Sequence, residues 1–169
     1  VKTTDRYGNP VRDAMRDIKR ARDFGANAIC IDGRTTDILL EEERFDLIKE
    51  ALEMIRSFGL PAGIGCHTLL GLNSCAKKGI RPDFYYKTMH PDNISPEKTV
   101  EFFKNIDVPL VGFKVMAGGA IPPEDDFKNT FETGADFICV GMFDFQVIEN
   151  VNLINKVLTG NLNRTRPWH

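Results

Sequence analysis

None of the 169 residues belongs to an apolar run long enough to span a bilayer, so no membrane partner is expected. Cysteine is sparse. Four scattered residues are too few for a disulfide framework. A basic excess is also missing: 22 Lys and Arg face 24 Asp and Glu, for a net charge of -2. That balance gives no reason to expect a nucleic-acid partner. Apolar mass is not lacking. With 42% hydrophobic and 27% charged residues the chain can bury a core, which excludes intrinsic disorder. Val1-Lys2-Thr3-Thr4 carries no methionine and no signal-peptide pattern, so it does not report on targeting. No feature argues against the cytoplasm, and a small molecule is the expected partner.

What is present is a recurring unit. From Pro10 to Phe24, Val11, Met15, Ile18, Ala21 and Phe24 fall at helical spacing, and Gly25 is a natural stop. The apolar run Ala28-Ile29-Cys30-Ile31, closed by Asp32-Gly33, reads as a buried strand. The pair then repeats. A helix over 41–58 leads to a strand over 61–67, and a short helix over 70–78 to a strand over 84–90. A helix opening at Ser95-Pro96-Glu97, with Ser as N-cap and Pro at the first position, leads to a strand over 110–116. A helix opening at Pro122-Pro123 and ending at Gly134 leads to a strand over 137–141. A closing helix covers 146–158, with Val147, Val151, Ile154 and Leu158 on its apolar face. Gly25-Ala26-Asn27 and Gly134-Ala135-Asp136 match at equivalent helix-to-strand junctions, which predicts the same turn twice.

Strands roughly 23 to 33 residues apart, alternating with helices, predict a parallel sheet of βα units. Five units suit an open doubly wound sheet or part of a (β/α)₈ TIM barrel of about 250 residues. Gly118-Gly119 and Gly141 follow the last two strands, as glycines do after the seventh and eighth strands of a barrel, and this favours the barrel. The expectation is a single domain over 1–169, the C-terminal portion of a TIM barrel, with about three βα units absent from its N-terminal side. Such a sheet would leave open edges, and self-association into a homo-oligomer is one way to cover them.

Alternation sorts the strand faces. It puts Val111, Phe113 and Val115 under the helices, and Gly112, Lys114 and Met116 toward the barrel interior. Gly63, Gly65 and His67 share a face, the glycines leaving room beside the imidazole. Asp32, His67, Lys87, His90 and Lys114 all fall at or near C-terminal strand ends, the catalytic face of a barrel. Neighbouring lysines repel as like charges, and burial disfavours the ammonium form. An amine neutral near pH 7 is the nucleophile that forms a Schiff base with a carbonyl.

Two segments carry a resemblance. Asp83-Phe84-Tyr85-Tyr86-Lys87-Thr88, followed by Val111-Gly112-Phe113-Lys114-Val115-Met116-Ala117-Gly118-Gly119, resembles the deoxyribose-phosphate aldolases, class I aldolases on a TIM barrel. The resemblance implies a lyase in which Lys87 attacks the carbonyl and Lys114 perturbs it. Asp32, in a segment loosely similar to the family's catalytic-aspartate strand, is implied as the proton shuttle; read from the residues themselves, either Asp32 or His67 would move the proton. Met142-Phe143-Asp144-Phe145 stands where small or hydroxyl residues would suit a phosphate, which argues against a phosphorylated substrate. The stretch from Gly112 to Gln146 is also similar to bacterial TIM-barrel proteins of unassigned activity.

Other chemistry stays open. Gly118-Gly119 would bind an anion through backbone N–H groups or make a tight turn. Arg34 and His90, with Gly118, Gly119 and Gly141, would line the substrate. No cofactor is required by the lyase reading. Asp32, His67 and His90 would alternatively hold zinc or manganese in a metal-dependent isomerase or hydrolase, and a non-catalytic ligand-binding barrel is the third reading. Cys30, Cys66 and Cys139, within strand runs, are expected as small buried hydrophobes. Trp168 would pin the polar tail to the body of the protein.

Overall fold

The computed structural model describes residues 14–89 and 96–169. Its elements run α1 (Ala14–Asp23), β1 (Ile29–Ile31), α2 (Gly33–Glu41), α3 (Phe45–Ser57), β2 (Ala62–Cys66), α4 (Leu69–Lys77), β3 (Phe84–Thr88), α5 (Pro96–Lys104), β4 (Leu110–Phe113), α6 (Pro123–Thr133), β5 (Phe137–Cys139) and α7 (Val147–Thr159). Strand order follows chain order, β1-β2-β3-β4-β5. β1 pairs with β2 in parallel, Cys30 opposite Gly63, and β4 with β5, Gly112 opposite Ile138. Every expected strand is present. Among the described residues no helix is long and apolar enough to cross a membrane.

The chain divides into two compact units between Tyr86 and Lys87. In the first, Ile48, Leu52 and Ile55 of α3 are buried together with Ile29, Ile31, Ala62 and Ile64 of the strands. Burying each of these leucine and isoleucine side chains contributes roughly 1.5–3 kcal/mol. In the second, Phe103, Leu110, Phe127 and Phe131 form the core.

One turn recurs, as the matched sequence segments predict. After α1, α4 and α6 the chain enters the left-handed region at Gly25 (φ 80°), Gly79 (φ 69°) and Gly134 (φ 117°). The next amide then reaches back five residues: Ala26 N to Ala21 O, Ile80 N to Cys75 O, Ala135 N to Thr130 O. This is the Schellman closure, and glycine supplies its φ without steric cost.

A second device recurs at the feet of the strands. Asp83, just before β3, accepts from the Ala62 amide that opens β2 (2.8 Å) and from the Arg56 guanidinium. Its own amide donates to the Ala62 carbonyl. Asp136, just before β5, does the same with Leu110, the first residue of β4. Its carboxylate further accepts from Arg164 (2.9 Å), Arg166 (3.2 Å) and the His169 amide. Arg164 also caps the Phe131 and Ala135 carbonyls, and Trp168 packs on Phe131 beneath the Arg164 guanidinium. Trp168 thus pins the tail as expected. Burial pulls the pKa values of both guanidiniums down, and the Asp136 carboxylate opposes that pull.

Four placements differ from the sequence reading. α2 was not expected; Arg34 lies on its first turn rather than in a loop. β4 ends at Phe113, and its faces are reversed. A Cβ on Gly112 would meet Thr130 of α6, so Gly112, not Val111, looks toward the helices. α7 turns Val147, Ile148 and Val151 outward and buries Asn150 instead. Cys139 is exposed and Cys30 half-buried, whereas Cys66 is buried as expected.

Asp126, on the inner face of α6, has no hydrogen-bond partner on Oδ2 and is 2% exposed. Burial pushes its carboxyl up to about 6. The folded state therefore favours the protonated acid. Its contribution to stability is full below the unfolded value near 4 and is lost as pH rises through 6. Urea titrations of Asp126→Asn should match the parent near pH 4. Above pH 7 the variant should be more stable, by on the order of 2 kcal/mol. The two strand-foot aspartates should differ sharply. Asp136→Asn strands two buried cations and should cost about 3 kcal/mol or more. Asp83→Asn disrupts a pair whose side chains are each 40% exposed and should cost about 1 kcal/mol, read from the same urea midpoints.

Candidate active site

In the first unit the C-terminal ends of β1 and β2 are built around α2. Asp32 ends the β1 segment as the α2 N-cap, in extended conformation (φ -65°, ψ 149°). Its carboxylate accepts from the Arg34 amide (3.0 Å), the Thr35 amide (3.2 Å) and the Thr35 hydroxyl. This is ordinary capping chemistry, worth about 1 kcal/mol. It occupies both carboxylate oxygens of the residue expected to shuttle protons or bind metal. Arg34, beside it, is exposed.

His67 follows β2 directly, and Thr68 caps α4 through a bond from the Gly71 amide. The imidazole Nδ1 lies 2.7 Å from Asp37 Oδ2, with both side chains a little over one quarter exposed. Asp37, on α2, was not singled out in the sequence. The available signal was a carboxylate in a segment that begins with an N-cap Asp, but with α2 unrecognised its helical position was invisible. The room expected beside Gly63 and Gly65 is filled. The Phe84 ring takes the space a Cβ on Gly63 would need, and a Cβ on Gly65 would lie 2.7 Å from the Ile31 carbonyl oxygen. Burial, reinforced by Asp32 and Cys66, pushes the Cys30 thiol up to about 12, so it is no thiolate nucleophile.

In the second unit Lys87 is wholly buried and donates from Nζ to the Thr88 carbonyl at 2.7 Å. Alternation puts it on the face of Met89, whose side chain packs on Gly112 beside Thr130 of α6. The amine therefore lies on the helix-covered side of β3. Lys114 lies just past β4, exposed, with φ 55°, rather than inside a strand facing the interior. Its Nζ sits 5.7 Å from the centroid of the Phe113 ring. Gly118 (φ 72°) and Gly119 (φ 95°) belong to an exposed 3₁₀ turn over Ala117–Gly119. The Gly119 and Ile121 amides donate back to the Met116 carbonyl, which draws the tight-turn reading of this pair. Gly141 is exposed beyond β5, with open space where a Cβ would stand. His90 lies outside the described residues, and with it the third member of the expected metal set. Among the described residues no group of three His, Cys, Asp or Glu side chains is placed to hold a metal ion.

The arrangement of strands and helices has solved counterparts. A Pseudomonas aeruginosa protein assigned as an aldo-keto reductase superposes with a TM-score of 0.65 at 19% identity, over 93% of this chain and 65% of its own. A monomeric dihydrodipicolinate synthase variant superposes with a TM-score of 0.61 at 18% identity, over 93% of this chain and 57% of its own. The fold is of the TIM-barrel type. The chain spans less than two thirds of the length of each of these proteins. No protein-family model and no curated protein matches the sequence. At such identities the likeness carries the fold alone.

Proposed function

We propose that this chain carries the acid–base site of a TIM-barrel-type enzyme acting on a small carbonyl compound. His67 moves the proton, and Asp37 holds the imidazole. The observation that carries this reading is the 2.7 Å contact between Nδ1 of His67 and Oδ2 of Asp37 at the C-terminal end of β2. Imidazole exchanges protons near neutral pH, and a carboxylate on one ring nitrogen fixes which nitrogen does so. In TIM barrels the C-terminal strand ends carry the chemistry. The carbonyl class is supported by the aldo-keto reductase neighbour and by the resemblance to aldolases.

The test is deuterium wash-in from D₂O beside the carbonyl of a panel of small ketones and hydroxyaldehydes, followed by NMR. The parent protein should exchange at least one panel member above buffer. His67→Gln should lower that rate about 100-fold, and Asp37→Asn about tenfold. A rate untouched by His67→Gln would remove the imidazole from the chemistry.

One observation favours a second reading, the Schiff-base lyase. Lys87, in its aldolase-like sequence setting, is wholly withdrawn from water near the C-terminal end of β3, and because its amine lies on the helix-covered side this reading also requires that side to open to the carbonyl. In that reading the amine attacks the carbonyl and expels water, leaving an imine that borohydride reduces to a stable amine. Intact-protein mass after incubation with the same panel and borohydride should then rise by one adduct, absent in Lys87→Met. No mass increase with a panel member that does exchange deuterium leaves the acid–base reading alone.

A further inference from the structure

We infer that Gly33 and Asp37 of α2 form a cradle that fixes the His67 ring in one orientation and one tautomer. The inference rests on the reading that His67 moves the proton, and it names the positioning residues of that site. Gly33 is the first residue of α2, set beside the end of β2 by the Asp32 cap. A Cβ there would stand 2.9 Å from His67 Cε1, 3.1 Å from Nδ1 and 3.3 Å from the Cys66 Cα. Gly33 is not among the residues with positive φ, so its backbone would accept any L side chain. What excludes a side chain is the imidazole lying against the Cα. Gly65 makes the approach of α2 possible from the other side, because a Cβ on it would lie 2.9 Å from the Gly33 amide.

Asp37 follows Gly33 by one turn, so both lie on the same face of α2. The glycine meets the ring at Cε1 and Nδ1, and the carboxylate takes Nδ1. A carboxylate only accepts, so the neutral ring carries its proton on Nδ1 and uses Nε2 as the proton-exchanging nitrogen. The spacing Gly-x-x-x-Asp thus does two jobs from one helical turn. It leaves the ring a seat, and it selects the nitrogen.

The test uses the full chain labelled with ¹⁵N-histidine and long-range ¹H–¹⁵N correlation, with His67 assigned by its loss in His67→Gln. The parent should show the Nδ1–H tautomer. Gly33→Ala and Asp37→Asn should each turn that signature into a mixture. Gly33→Ala should also lower kcat for deuterium exchange about tenfold, with KM within about twofold. Asp37→Glu, which keeps the acceptor, should restore part of the signature. An unchanged Nδ1–H signature in Gly33→Ala overturns the cradle. If that variant does not fold by circular dichroism, the isosteric Asp37→Asn decides: loss of the signature supports the cradle and retention overturns it. Loss of the signature with full deuterium exchange supports the cradle and overturns the catalytic role of His67 instead.

Discussion

The buried carboxylate of Asp136 is the constraint on which the second unit depends. It takes the opening amide of β4, two guanidiniums and the amide of His169, while the neighbouring backbone registers β4 against β5. A charge so placed cannot be traded for an apolar group without orphaning two cations at 1% and 9% side-chain exposure. Geometry, more than net attraction, is what such a cluster supplies. Desolvating three charges consumes most of the Coulomb energy, and the remaining benefit is that only one seating of the tail brings both guanidiniums onto the one carboxylate. Asp83 repeats the motif in the first unit with a single, more exposed arginine, and there the same hydrogen bonds hold β2 at a smaller penalty.

The parts of the fold legible in the sequence are those governed by local rules. Glycine stops, the proline at the start of α5 and the spacing of strands each depend on neighbours a few residues away, and the structure places them close to where they were expected. Strand faces obey a different rule. A parallel strand is covered on both sides, so its residues are apolar in either direction and alternation does not say which side the helices take. For that reason alternation along β4 points Gly112 to the interior while the helix side is where it sits. α2 is hidden in the sequence because Gly33-Arg34-Thr35-Thr36 opens with residues that read as a turn. Only Asp32, as an N-cap with Thr35 three residues on, marked a helix start.

The candidate site was legible in half. His67 was identified at a strand end, but Asp37, thirty residues earlier in the chain, is brought to it by a helix the sequence reading did not contain. Lys87 is the opposite case. Its sequence setting is that of an aldolase amine, yet its side chain lies on the helix-covered side of β3 and is buried there. A motif fixes residue order; the face it presents is decided by the register of the whole strand.

The strand-foot aspartates and the histidine sit at opposite ends of their strands. Asp83 secures the start of β2, and His67 follows its end, five strand residues later. Roughly 3.3 Å of rise per residue separates a settled, charge-locked edge from one that can be altered. The residues between Cys66 and α4 can therefore change without disturbing the clamp that keeps β2 in place. Evolvability, in this chain, is a matter of distance along a strand.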